Sequence, residues 1–92
     1  MQKITIQVIN EVGLHARPAS EFVKLAGQFK ADLRVRNATT NSDAVDAKSI
    51  LNVLMLGVEK GHTIELTGDG ADEAKAVQAL RELIESDFLG KF

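Results

Sequence analysis

Gly13-Leu14-His15-Ala16-Arg17-Pro18-Ala19 decides how this chain is read, because a strand pattern ends on one side of it and a helical pattern begins on the other. Proline has no N–H and a fixed φ, so a helix tolerates it only in the first turn, where that donor has no intrahelical partner anyway. Pro18 therefore sets a helix start at about Ala16, with His15 as the flanking residue. The unpaired backbone amides of Ala16 and Arg17 then face the imidazole. Such amides, at the positive end of the helix dipole, stabilise an anion. The guanidinium of Arg17 adds a permanent charge and a forked donor set that fits phosphate oxygens. A phosphorylated imidazole is expected to sit here without strain.

Taken plainly, His15 would only cap a helix and Arg17 would be a solvated surface charge. The neighbours argue for more. Gly13 permits a backbone angle closed to other residues, Leu14 can anchor the loop in a core, and Ala16 and Ala19 leave room for a second protein to approach. A loop residue carried on a rigid element is where function tends to sit.

On the N-terminal side, Ile4, Ile6 and Val8 alternate with Lys3, Thr5 and Gln7, the pattern of a strand with one buried face. On the other side, Ala19, Phe22, Val23, Ala26 and Phe29 recur at steps of three and four, predicting a helix from Ala16 to about Phe29. Asp32 to Arg36 returns to alternation through Leu33 and Val35. Asn37 to Asp43 reads as a polar hairpin loop and Ala44 to Asp46 as a short third strand. Lys48 to Leu56 predicts a brief helix entered at Ser49 and ended by Gly57. Thr63 to Thr67 is a fourth strand with Ile64 and Leu66 inward, and Gly68-Asp69-Gly70 a turn. A last helix, about Ala71 to Asp87, carries the apolar stripe Ala74, Val77, Leu80, Leu83 and Ile84. The order βαββαβα, with a hairpin between the second and third strands, predicts an α+β fold with helices on one face of an antiparallel sheet.

Ninety-two residues suggest one domain, 1–92, large enough for a two-layer core but not for a deep catalytic cavity as well. Any substrate pocket is then expected from a partner. A formal charge of −2 offers no electrostatic case for nucleic acid, and with neither Trp nor Tyr there is no platform for stacking bases. Absent cysteine, disulfides and thiolate metal sites are excluded, and two histidines far apart in sequence do not suggest a metal site. No cofactor is implied. The first ten residues alternate rather than run apolar, which argues against a signal peptide or membrane insertion and makes the cytoplasm the natural compartment.

The short second helix carries Ile50, Leu51, Val53, Leu54, Met55 and Leu56, apolar nearly all round its axis. A two-layer domain buries only one side of such a helix, so the rest should form an exposed patch of the kind that marks a contact surface, a dimer seam, or an area covered by the long loop. Ser49 at its head is explained by capping alone, worth about 1 kcal/mol. Phosphorylated, it would place a dianion at the helix start, tolerated by the helix but hostile to an acidic partner docking on the patch.

With these residues in view, the chain resembles the HPr family, the histidine-containing phosphocarriers of the bacterial phosphoenolpyruvate-dependent sugar phosphotransferase system. The resemblance covers nearly the full length. It is carried by Gly13 to Ala19 and, downstream, by Lys48-Ser49-Ile50-Leu51 followed by Leu56-Gly57. It implies an open-faced sandwich with strand order 1-4-2-3, and a non-enzymatic, monomeric carrier. His15 would accept the phosphoryl group through Nδ1, with Arg17 steadying it. The donor would be phosphorylated enzyme I and the acceptor a histidine of an enzyme IIA domain. Ile50, Leu51 and Leu54, with Ser20 and Lys24 beside them, would be the docking surface shared by both. Ser49 matches the family's regulatory serine, implying a serine kinase/phosphorylase and a transcriptional regulator as further partners. A module that worked only through phosphorylated Ser49 would have no need of His15.

Two features depart from the pattern. Asn37 to Asp46 is about three residues longer than expected of the family, against usual hairpin loops of about two to five. His62, in the turn before the fourth strand, matches no family role and reads as a surface residue. Asn10-Glu11-Val12 resembles the form in several proteobacterial carriers and in their nitrogen-related paralogues, which leaves sugar uptake and nitrogen control both open.

Overall fold

The computed structural model describes residues 1–86. Along the chain run β1 (Gln2–Gln7), α1 (Ala16–Ala26), β2 (Asp32–Asn37), β3 (Val45–Asp46), α2 (Ile50–Met55), β4 (Thr63–Asp69) and α3 (Glu73–Glu85). The four strands form one antiparallel sheet in the order β1-β4-β2-β3. Cross-strand register sets Ile6 opposite Ile64 and Val35 opposite Leu66, so the inward side chains share one face. Helices cover that face: Phe22 and Leu25 of α1, Val53 of α2 and Val77, Leu80, Leu83 and Ile84 of α3 close the core over Val8, Leu33 and Leu66. The opposite face is polar, with Glu65 between Arg36 (3.1 Å) and Lys3 (3.9 Å).

The elements match the expected order, and the differences lie at their ends. α1 closes at Ala26 instead of Phe29, because Gln28 and Phe29 turn their amides to carbonyls three residues back (3.0 and 3.2 Å), a tighter winding. Phe29 still packs on the core, which is what the periodicity detected. β4 continues through Gly68 and Asp69, paired with Leu33 and Asp32, and the turn begins only at Gly70. Gly68 serves packing: a Cβ there would stand 3.0 Å from Val77 Cγ2 and 3.2 Å from Leu33 Cδ2.

α3 starts two residues late, since the carboxylate of Asp72 is committed to the amides of Lys30 and Ala31, both at 2.8 Å. Its expected end at Asp87 lies outside the described residues. With that start, Ala76 and not Ala74 joins the buried stripe. Asn37, expected in the hairpin loop, belongs to β2 and is fully buried, while Ala44 falls outside β3. α2 is shorter than expected by its flanks, Lys48, Ser49 and Leu56.

Candidate functional site

The loop between β1 and α1 is held from beneath. Gly13 has φ +63, and a Cβ on it would fall 2.1 Å from the carbonyl oxygen of Val58, so only glycine brings the two backbones this close. The amide of Leu14 donates to that same carbonyl at 3.0 Å, while its side chain is fully buried. Asn10, itself nearly buried, donates from Nδ2 to the Gly13 carbonyl at 2.7 Å and receives the Gly13 amide on its own carbonyl at 3.2 Å. Its Oδ1 has no hydrogen-bond partner among the described residues. Glu11 and Lys60 pair at 2.9 Å across the same seam. Nothing in periodicity singled out Asn10 or Val58; the legible signals were a glycine three residues after an asparagine and the resemblance carried by Asn10-Glu11-Val12.

On this base His15 stands as the N-cap residue of α1, extended (φ −128, ψ 158) and partly exposed. Its ring makes no capping hydrogen bond, so the simple capping role does not account for it. The backbone then bends sharply into the helix. Ala16 lies at φ +51, in the left-handed region that costs a residue with a Cβ about 1–2 kcal/mol, so the turn into the helix is itself strained. The strain arises because an extended residue pinned on one side by Leu14 meets a helix fixed on the other by buried Pro18 and Ala19.

Arg17 projects outward, and its Nη1 lies 3.4 Å from Glu21 Oε1 one helical turn along. Glu21 was not singled out in the sequence, although the spacing of four residues from Arg17 was there to be read. Ser20 and Lys24 are exposed and follow Ala16 at helical spacing along α1. On α2, which packs against α1, Val53 alone is buried, whereas Ile50, Leu51, Leu54 and Met55 are exposed, Leu51 at 65%. The apolar patch expected from composition therefore exists, and Val12 and Ile9 of the β1–α1 loop are exposed as well. Ser49 caps α2, its Oγ accepting from the amide of Asn52 at 3.4 Å. Beside it Lys48 Nζ donates to the Phe29 carbonyl at 2.7 Å, tying the end of α1 to the head of α2. Among the described residues no group of three or more His, Cys, Asp or Glu side chains could hold a metal ion, and no helix is long and apolar enough to cross a membrane.

An open-faced α+β sheet carrying a partly exposed histidine at the start of its first helix defines the class of protein. Residues 2–86 match the family model described as "PTS HPr component phosphorylation site". The phosphocarrier proteins HPr of Neisseria meningitidis serogroups A and B are each 47% identical over 88 residues, covering 96% of both chains. The crystal structure of HPr-C-His from Thermoanaerobacter tengcongensis aligns with a TM-score of 0.92 at 40% identity, over 100% of both chains. An HPr dimer from the same organism aligns at 0.74 with 42% identity, over 96% of this chain and 98% of that one. The chain belongs to the HPr family, the phosphocarriers of the phosphotransferase system.

Proposed function

We propose that this chain carries the phosphoryl group on His15, taking it from phosphorylated enzyme I and passing it to a histidine of an enzyme IIA domain in the cytoplasm. The observation that carries this reading is an imidazole set at a helix start, partly exposed and committed to no capping bond. In the transfer, the lone pair of Nδ1 attacks phosphorus as the donor's N–P bond breaks. Charge spreads over the three equatorial oxygens, which can accept hydrogen bonds from the first-turn amides of Ala16 and Arg17. The guanidinium of Arg17 joins them by exchanging Glu21 for phosphate. Because one N–P bond replaces another, the step runs equally well toward the acceptor, and the carrier leaves unchanged.

The exposed side chains Ile50, Leu51 and Leu54, with Ser20 and Lys24 on α1, form the surface on which enzyme I and IIA domains dock in turn, meeting a monomeric carrier. Incubation with enzyme I and phosphoenolpyruvate should yield an acid-labile adduct of one phosphate, absent from His15→Ala; no adduct on the unaltered protein refutes the reading. A regulatory use of Ser49 is favoured by its place at the head of the apolar patch, where a phosphate would repel an acidic partner. An acid-stable phosphate formed with ATP and a host extract, and missing from Ser49→Ala, is the expected result.

A further inference from the structure

His62 is not the free surface residue that its place in a turn suggests. Its ring is partly buried, and Nδ1 lies 3.2 Å from the backbone amide of Glu59 and 3.1 Å from Asn37 Nδ2. A backbone N–H can only donate, so Nδ1 must carry the lone pair and the ring is the Nε2–H tautomer. The amide of Asn37 is oriented independently, because its Oδ1 receives the amides of Thr39 and Thr40 at 3.1 and 3.3 Å, leaving Nδ2 to face the ring. The same Nδ2 donates to the carbonyl of Leu56 at 3.2 Å. Asn37 is 0% exposed and its bond to Leu56 is buried, so its amide cannot turn to water for partners, while the bond from Glu59 to the ring lies nearer the surface.

These contacts converge on one short segment. His62 closes the turn a second time through its amide, which donates to the Glu59 carbonyl at 2.9 Å, and its own carbonyl receives the amide of Val8 at 2.8 Å. Between Leu56 and Glu59 lies Val58, whose carbonyl holds Leu14 and against which Gly13 is packed. The brace thus fixes the floor on which the residue before His15 rests.

We propose that His62, oriented by Asn37, is a positioning residue for the phosphoacceptor loop: its unprotonated Nδ1 holds the 56–62 segment, and through the Val58 carbonyl sets the place of Leu14 and His15. This rests on the carrier reading for its consequence in transfer, but not for its structural content. The long loop after β2 is part of the device, since Thr39 and Thr40 aim the asparagine.

The test uses the full chain. Nitrogen spectra of the His62 ring should show the Nε2–H tautomer; the Nδ1–H tautomer overturns the proposal. His62→Ala should speed hydrogen exchange at the Leu14 amide and slow phosphoryl transfer from enzyme I by roughly threefold to tenfold, the scale of a small displacement of reacting atoms. His62→Asn, whose Oδ1 reaches the place of Nδ1, should restore both, whereas His62→Gln, whose Oε1 reaches the place of Nε2, should not. Asp72→Ala, which loosens the remote junction of α3 with β2, should lower stability without slowing transfer. If Asp72→Ala slows transfer as much as His62→Ala at equal loss of stability, or if asparagine fails to rescue, the role is merely structural and the proposal falls. Should His62→Ala fail to fold, the tautomer and the Asn and Gln variants still decide. Exchange at Leu14 is read without enzyme I, so absence of any adduct on the unaltered protein would sink the carrier reading alone.

Discussion

The carbonyl of Val58 receives the amide of Leu14 at 3.0 Å and lies where a side chain on Gly13 would begin. One oxygen on the segment after α2 thereby holds the loop that presents His15. Gly13→Ala would put a Cβ 2.1 Å from that oxygen and strain a residue at φ +63. The loop must lift off. Stability should fall by about 2 kcal/mol or more, read by urea unfolding, and phosphate uptake by roughly tenfold or more.

Ala16→Gly should behave unlike an ordinary helical substitution. Glycine inside a helix costs about 1 kcal/mol relative to alanine. At φ +51 the comparison reverses, because the methyl group is what the backbone has to accommodate. Urea midpoints should be unchanged or raised, by up to about 1 kcal/mol in stability; a loss of that size would mean the left-handed turn carries no strain.

Glu21→Gln addresses the pair that occupies Arg17. The contact is 3.4 Å long, with the arginine side chain 65% exposed, so it competes weakly with phosphate. Exposed pairs four residues apart are worth about 0.3–0.5 kcal/mol, which corresponds to roughly a twofold gain in the phosphorylated fraction at equilibrium with a limiting donor. A larger gain would show that Glu21 restrains Arg17 more firmly than the geometry implies.

Leu51→Asp separates docking from folding. The side chain is 65% exposed on α2, so stability should stay within about 0.5 kcal/mol. A carboxylate in the centre of an apolar contact should weaken binding to enzyme I by roughly tenfold or more, measured by titration calorimetry. Unaltered affinity would remove α2 from the docking surface.

Asp72 makes the fold sensitive to acid. The amide of Lys30 first, and that of Ala31 with it, hold its carboxyl below the ordinary value of 3.8. The unfolded chain therefore takes up the proton at higher pH than the folded one, and the stability Asp72 contributes, complete above 3.8, is lost as pH falls through the lower folded value. Asp72→Asn should be less stable at neutral pH, and the gap to the unaltered protein should narrow as pH falls below 3.8 and close once it has passed the lower folded value. A gap that persists there would assign the loss to packing instead of charge.

Much of this was local enough to be read from residue types. Alternation of Ile4, Ile6 and Val8, the spacing of Phe22, Val23 and Ala26, and a proline at position 18 each report on their own few neighbours, and so the order of elements and the start of α1 followed from them. The exposed patch on α2 was legible for the same reason: six apolar residues around one short axis cannot all be buried. Gly68 was misread as a turn residue because glycine serves both tight turns and close packing, and only the approach of Val77 from α3 tells them apart.

Residue types and spacing placed His15 and Arg17 at the start of α1 and Ser49 at the cap of α2, where the structure has them, because a proline in a first turn and a hydroxyl before an apolar run report on their own neighbours. What supports His15 was decided by contacts between residues far apart in the chain. Asn37 and His62 meet across 25 positions of chain, so no local pattern names either as the other's partner, and their hydrogen bonds exist only once the segment after α2 folds beneath the first loop. The left-handed bend at Ala16 is likewise a product of that closure, because nothing in an alanine demands it until Leu14 and Pro18 are both held in place.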